Sequence, residues 1–353
     1  MRAVKVSAAN QLTVDSSAPI PTLQPEYLLV RVSHVSLNPT DWKAASRFNP
    51  DDIPPHTVGC DASGQVVEIG DQVPPGRFRI GDRVAGLCYG IRLGHPASGA
   101  FGEYCLFKAG LTIHVPDRIS DAEAATLGVG INIVGQALYQ TLRLPWPSVH
   151  NSNSTLSPTV LIYGGSTATG LFAIQYARLS CCHVLTTCSP RNAAKCKTLG
   201  AHETFDYGDP VVCATAIRKA TGNELLYAFD CISEGSSRQI CADALTSRSG
   251  AAHYVGVLPV AGPFPRNDVI HGWRSGYTAF GEAYNFAGKM QEARPDDYAF
   301  AREFWAASNE LVTLLNLEAL VQKRDGGLDG IIRGLEELRG GHVRGGKLVY
   351  RVQ

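Results

Sequence analysis

Strand-like and helix-like segments alternate from residue 159 to about residue 257, and no other feature of the 353-residue chain narrows its fold so far. Thr159–Tyr163 is a short apolar run bounded by turn residues and reads as a strand, while Ala168–Leu179 carries helical spacing. The pattern repeats with a strand at His183–Cys188, a helix at Asn192–Leu199 closed by Gly200, a strand at Glu203–Tyr207 and a helix at Pro210–Ala220. It continues with strands at Leu226–Ile232 and Ala251–Val257 around a helix at Ser237–Leu245. Strands joined through helices run parallel, with helices on both faces of the sheet. The segment therefore reads as an α/β, doubly wound parallel sheet.

The first 120 residues follow another rule. Tyr27–Val35 alternates apolar and polar residues like a half-buried strand, and Gly64–Gly70 and Ala100–Phe107 do the same. Gly81-Asp-Arg-Val is a turn feeding a further strand. A β-rich barrel or sandwich is expected here. Ser120, three residues before Glu123, marks a helix start, and helical spacing continues to Leu142 before Pro145 and Pro147. Residues 150–158 read as an exposed loop and 258–295 as irregular chain. Helices over 296–315 and 328–338 and a strand from Lys347 close the pattern.

Composition excludes several classes. The 32 basic residues balance 32 acidic ones, which argues against a general nucleic-acid binder. A membrane span needs about 18 uninterrupted apolar residues, and no stretch approaches that. The start of the chain lacks the apolar core of a secretory signal. The ten cysteines show no CxxC pair and sit in apolar runs, as buried free thiols of a reducing compartment do. A soluble, cytoplasmic protein is expected.

The strongest chemical signal is Tyr163-Gly-Gly-Ser-Thr-Ala-Thr-Gly170, between a strand and a helix. A glycine-rich turn there lets backbone N–H groups approach a pyrophosphate at the helix N-terminus. A plain tight turn would use the same glycines, but the alternation on both sides favours the dinucleotide. Thr167 stands where a middle glycine is usual. At the end of the next strand an NAD site usually carries an acidic residue for the ribose 2′-hydroxyl. Here the chain offers Ser189, Arg191 and Asn192, then Lys195 and Lys197. Hydroxyl plus cation accepts a 2′-phosphate, so NADPH is expected. Ser36-Leu-Asn-Pro-Thr-Asp-Trp-Lys43 forms a proline turn presenting Thr40, Asp41 and Lys43. Read alone, Lys43 is an ordinary surface lysine. Cys60, Asp61 and His56 do not make up a zinc ligand set, so no metal is expected.

Asn38-Pro-Thr-Asp41, Val58-Gly-Cys-Asp-Ala-Ser-Gly-Gln-Val-Val67, Gly81-Asp-Arg-Val84 and Gly99-Ala-Phe-Gly-Glu-Tyr104 resemble the medium-chain dehydrogenase/reductase superfamily, over essentially the whole chain. Zinc-binding members carry a cysteine near the position of Asp41 and a His-Glu pair near Cys60-Asp61; this chain has neither. The chain therefore resembles the zinc-free quinone and enoyl reductase branch. Tyr163-Gly-Gly-Ser-Thr-Ala-Thr169, Thr187-Cys-Ser-Pro-Arg-Asn192, Phe205-Asp-Tyr207 and Phe280-Gly-Glu282 narrow the resemblance to trans-acting enoyl reductases of fungal polyketide biosynthesis. That group shares the threonine at the position of Thr167.

The resemblance implies a β-rich GroES-like catalytic domain over 1–130, a Rossmann domain over 131–270, and a return to the first domain over 271–353. It implies NADPH held by Pro39, Thr40, Asp41, Trp42, Ser166, Thr167, Ala168, Thr169, Ser189, Pro190, Arg191, Asn192 and Tyr207, completed by Val257, Leu258, Arg344 and Gly345. The acyl chain would lie along Ile133, Val134, Gly135, Gln136, Ala137, Leu138, Tyr139 and Gln140, and along Tyr277, Thr278, Ala279, Phe280 and Gly281. Lys43 matches a lysine proposed to act near the nicotinamide.

Hydride would attack the β-carbon of an enoyl thioester, leaving charge on the thioester oxygen as an enolate. Lys43 and the Thr40 hydroxyl are candidates to stabilise that charge or deliver a proton. The substrate would ride on the acyl carrier domain of a polyketide synthase or polyketide–nonribosomal peptide hybrid synthase, the reductase itself acting as a monomer. Carrier domains are usually acidic, and Arg266, Arg274 and Arg294 are candidate docking cations. A free-standing quinone or enone reductase, and a catalytically silent NADPH-binding scaffold, are the alternatives.

Overall fold

A computed structural model of the chain describes residues 1–7, 10–48, 54–149, 158–259, 262–286 and 289–353. Residues 150–157, most of the expected exposed loop, lie outside them. Two compact units divide the chain, Met1–Asn132 with Tyr277–Gln353, and Ile133–Gly276.

In Ile133–Gly276, six strands form one parallel sheet. Their order is Glu203–Phe205, His183–Thr187, Thr159–Tyr163, Tyr227–Asp230, His253–Gly256 and Ile270–Trp273. Val160, Leu161 and Ile162 are fully buried, because covered faces on both sides demand an unbroken apolar run rather than alternation. Chain order runs outward in both directions from Thr159–Tyr163 and Tyr227–Asp230, so the switch point lies at the carboxyl ends of these two strands. The strand Ile270–Trp273 falls in the segment read as irregular. Its Ile270 and His271 are exposed, so it has no buried apolar run to reveal it.

In the other unit the main sheet runs Val321–Arg324, Lys347–Arg351, Tyr27–Ser36, Asp61–Ile69, Arg83–Leu87 and Thr112–His114, with Tyr104–Lys108 also pairing to Tyr27–Ser36. Leu28, Val30 and Val32 point into a core with Phe101, Phe107, Ile331 and Tyr350. Irregularities at Leu29/Val30 and Val32/His34 let the long strand Tyr27–Ser36 bend around that core.

The helix expected from Ser120 to Leu142 is broken. Ser120 caps Asp121–Ala124, a second helix covers Leu127–Val134, and wider π turns cover Gly135–Thr141. The break has a hydrogen-bond cause. The Ala125 carbonyl accepts from Ser36 Oγ at 2.9 Å, and the Thr126 carbonyl accepts from Lys347 Nζ at 3.0 Å. The Val129 N–H, whose helical partner would be Ala125, donates to Asp61 Oδ1 at 2.6 Å. Among the described residues no helix is long and apolar enough to cross a membrane.

Candidate active site

The turn after Thr159–Tyr163 is built by its glycines and Thr187. Gly164 adopts φ +79°, and its N–H donates to Thr187 Oγ1 at 2.9 Å. The Gly165 N–H donates to the Thr187 carbonyl at 2.9 Å. A Cβ at Gly170 would lie 2.3 Å from the Gly164 carbonyl oxygen, so only glycine lets the helix start close on the strand end. Thr167 is the N-cap of Ala168–Leu179: its hydroxyl accepts from the Gly170 N–H at 3.0 Å and donates to the Gly164 carbonyl at 2.8 Å. Its hydroxyl is thereby spent on the turn, whereas the N–H groups of Ala168 and Thr169 lie in the first helical turn and need a partner from outside the helix. This donor set, at the switch point, fits a pyrophosphate.

Ser189 follows the strand His183–Thr187, and Pro190–Asn192 forms a single tight turn before the helix Ala193–Thr198. Asn192 Nδ2 donates to Ser189 Oγ at 3.2 Å, and Arg191 is exposed. The residues at the end of this strand carry hydroxyl, amide and cation and no carboxylate, the donor chemistry of a 2′-phosphate. Tyr207 is 44% exposed, with its ring 6.1 Å from that of Tyr163. The Val257 N–H donates to Ser233 Oγ at 2.9 Å, and Leu258 follows it. In the same unit the π turns bury Gly135 to Tyr139, and the Tyr139 hydroxyl bonds the Tyr176 carbonyl and Ser180 Oγ. Arg266 is held by Asp268 at 3.0 Å and by the Ala242 and Thr246 carbonyls at 2.9 Å, so it is a structural cation rather than a surface one. Arg274 donates to Thr141 Oγ1.

The other unit carries the proline turn, which is the helix Pro39–Ala45. The Asn38 N–H donates to Asp41 Oδ2 at 2.7 Å, and Asn38 Nδ2 donates to Asp61 Oδ2 at 2.9 Å. Burial pushes the Asp41 carboxyl up to about 7, with the charge of Asp61 adding to it. Thr40, Trp42 and Lys43 take half-buried positions on the same helix, and the Lys43 ammonium sits 5.7 Å from the Trp42 ring centre. The Thr40 hydroxyl lies 2.9 Å from the Tyr277 hydroxyl. Tyr277 stacks on Tyr89 at 4.4 Å. Two segments named separately in the sequence, 39–43 and 277–281, thus meet in one place. Thr40 and Asp41 from the first, Ala44 just after it, and Tyr277 from the second pack with Val58, Gly59, Cys60, Gly90 and Ile91 around a tight recess with no room for a water molecule. Thr278, Ala279 and Phe280 are buried beside it, and Gly281 turns with φ +75°. Arg344 is exposed, its carbonyl accepting from Gln322 Nε2, and Gly345 turns with φ +68°. Arg294 precedes the helix Pro295–Leu311 and is exposed.

Sequence reasoning missed the buried polar groups behind this helix. Asp61 accepts from Asn38, Val129 and Lys347, and nothing about the spacing of these residues announces that they meet. Lys108 was also missed. Its ammonium donates to the Phe280 carbonyl at 2.9 Å and to Glu282 at 3.0 Å, and so fixes the segment after Tyr277. The Phe-Gly-Glu motif was the signal that could have prompted a search for a buried cation.

Two family models match the chain: an alcohol dehydrogenase GroES-like domain over residues 24–117, and a zinc-binding dehydrogenase domain over residues 168–293. The chain is 40% identical over 365 residues to trans-enoyl reductase resD of Aspergillus sclerotiorum, covering 100% of both chains. It is 40% identical over 352 residues to trans-enoyl reductase ACTTS2 of Alternaria alternata, covering 99% of this chain and 98% of that one. The crystal structure of an alcohol dehydrogenase superfamily protein from Novosphingobium aromaticivorans has the same fold, with a TM-score of 0.79 at 20% identity and full coverage of both chains.

The description of the second family model implies zinc, and the residues here do not fit it. Asp61 is committed to Lys347, and among the described residues no three His, Cys, Asp or Glu side chains converge on a metal position.

Proposed function

The chain belongs to the trans-enoyl reductases of the medium-chain dehydrogenase/reductase superfamily, and on that premise we propose that it reduces the α,β-double bond of an enoyl thioester with NADPH. The thioester rides on the acyl carrier domain of a separate polyketide synthase or polyketide–nonribosomal peptide hybrid synthase. The enzyme works as a monomer in the cytoplasm, a compartment supported by its ten free cysteines.

NADPH, when bound, supplies the hydride that goes to the β-carbon. The first-turn N–H groups of Ala168 and Thr169 hold its pyrophosphate, and Ser189, Arg191 and Asn192 hold its 2′-phosphate. The NADPH choice is supported by the missing carboxylate at the end of His183–Thr187. As the β-carbon gains its bond, negative charge moves to the thioester oxygen, and the α-carbon then takes a proton from water or a side chain to give the saturated thioester. A cation or hydroxyl aimed there lowers the barrier because the charge is greatest in the transition state. Lys43 and Thr40 supply these groups from one helix. The observation that carries the assignment is the 2.9 Å approach of the Thr40 and Tyr277 hydroxyls, which joins the catalytic helix to the acyl-binding segment. Tyr277 orients the Thr40 hydroxyl, and the buried Asp41 and Asn38 fix the helix that carries it.

Lys43→Ala tests the assignment. Single-turnover reduction of a pantetheine-linked enoyl substrate should slow roughly tenfold to a thousandfold, about 1.4 to 4 kcal/mol, with NADPH affinity little changed. Reduction at the parent rate would make Lys43 a surface lysine. Loss of NADPH binding would make it a cofactor-docking residue.

A further inference from the structure

Within the unit formed by Met1–Asn132 and Tyr277–Gln353, a groove of about 420 Å³ runs between the helix Pro295–Leu311 and the chain around residues 72–77. Two cations line it. The Arg77 guanidinium is half-buried, 5.4 Å from the Phe78 ring centre, with Arg302 beside it. Burial and the nearby Arg302 hold Arg77 below its ordinary range. Neither guanidinium has an ion-pair or hydrogen-bond partner among the described residues. Of the two carboxylates in the groove, Glu26 faces Lys108 at 3.4 Å and Glu303 is exposed to solvent.

Tyr298 lines the same groove, and its position is built rather than incidental. A Cβ at Gly110 would lie 2.6 Å from the Tyr298 hydroxyl, and one at Gly281 would lie 2.8 Å from Tyr298 Cβ. The Lys108 ammonium covers the ring face at 4.2 Å. The hydroxyl lies within the fields of both Arg77 and Arg302. Two like charges, one of them half-buried and lacking a carboxylate partner, cost free energy that a bound anion would offset. Guanidinium pairs fit phosphate oxygens in parallel hydrogen bonds, and the volume suits a small organic molecule.

We propose that this groove binds a phosphate ester, its phosphate between Arg77, Arg302 and the Tyr298 hydroxyl and its organic part over Val73 and Ala109. The ester is either a free metabolite or the phosphopantetheine arm of a carrier domain. The second source rests on the function proposed above; the anion site does not.

The test is calorimetric titration of the full chain, with NADPH saturating, using inorganic phosphate, 4′-phosphopantetheine and unphosphorylated pantetheine. The phosphorylated compounds should bind, and pantetheine should bind at least about tenfold more weakly. Arg77→Gln with Arg302→Gln should weaken phosphate binding at least about tenfold. Arg302→Gln alone, at an exposed position that folding does not depend on, should also weaken it. Preference for 4′-phosphopantetheine over inorganic phosphate assigns the groove to a carrier arm; equal affinity means that no organic part is held there and overturns the ester site. Absence of phosphate-dependent binding, or full binding by the double variant, overturns the proposal. The readout is binding, so its failure leaves the reductase reading untouched.

Discussion

Lys347 Nζ donates to Asp61 Oδ2 in a pair sealed from solvent, the two side chains being 3% and 0% exposed. The pair gathers distant parts of the chain. Asp61 also accepts from the Asn38 side chain and the Val129 N–H, and Lys347 also reaches the Thr126 carbonyl. It therefore anchors the entry to the helix Pro39–Ala45 and sets the break in the helix after Ser120.

A buried ion pair broken on one side leaves an unpaired charge, which costs about 3–5 kcal/mol. Lys347→Met should lower stability by about that amount in urea denaturation. The double variant Lys347→Met with Asp61→Asn should recover a large part of it, because the charge is removed with its partner. A single variant as stable as the parent would show that the pair is solvated.

Asp41 makes stability depend on pH. Its folded value of about 7 lies above its ordinary 3.8, so the folded state binds the proton more tightly than the unfolded state does. The stabilisation is complete below about 3.8 and is lost as pH rises through about 7. Asp41→Asn removes the titrating group, so its midpoint of thermal unfolding should change less than the parent's across that window. Parallel curves for the two proteins would contradict the placement of Asp41.

Thr167 caps a twelve-residue helix and closes the glycine turn with the same hydroxyl. Thr167→Ala should cost about 1 kcal/mol in chemical denaturation. Thr167→Ser, which keeps the hydroxyl, should cost less. Equal losses for both variants would mean that the methyl group matters and the cap does not.

The parallel-sheet unit was legible because its signal is local. The helices Ala168–Leu179 and Pro210–Ala220 start and stop where the spacing, Gly170, Pro210 and Gly222 place them. The positions of the glycine turn and of residues 189–192, just after two parallel strands, were legible for the same reason. What escaped depends on distant partners. Val129 and Ala125 keep helical spacing in sequence, yet Asp61 and Ser36 take their backbone groups. Thr40 and Tyr277 lie 237 positions apart, and only family resemblance named both. The strand Ile270–Trp273 escaped because the edge of a sheet needs no buried apolar run.

Arg191 should decide between dinucleotides. NADPH should bind at least about tenfold more tightly than NADH, about 1.4 kcal/mol. Arg191→Ala should remove most of that difference by weakening NADPH and leaving NADH unchanged, as read by fluorescence titration. Equal affinities in the parent would remove the case for a 2′-phosphate site.

The central claim is that an enoyl thioester on a carrier arm is the hydride acceptor. The direct measurement is mass analysis of the product after mixing the protein with deuterium-labelled NADPH and a pantetheine-linked enoyl substrate, with a simple quinone offered in parallel. The account predicts a saturated thioester carrying deuterium at the β-carbon and little oxidation of NADPH by the quinone. Rapid NADPH oxidation by the quinone, with the thioester recovered unreduced, would contradict it.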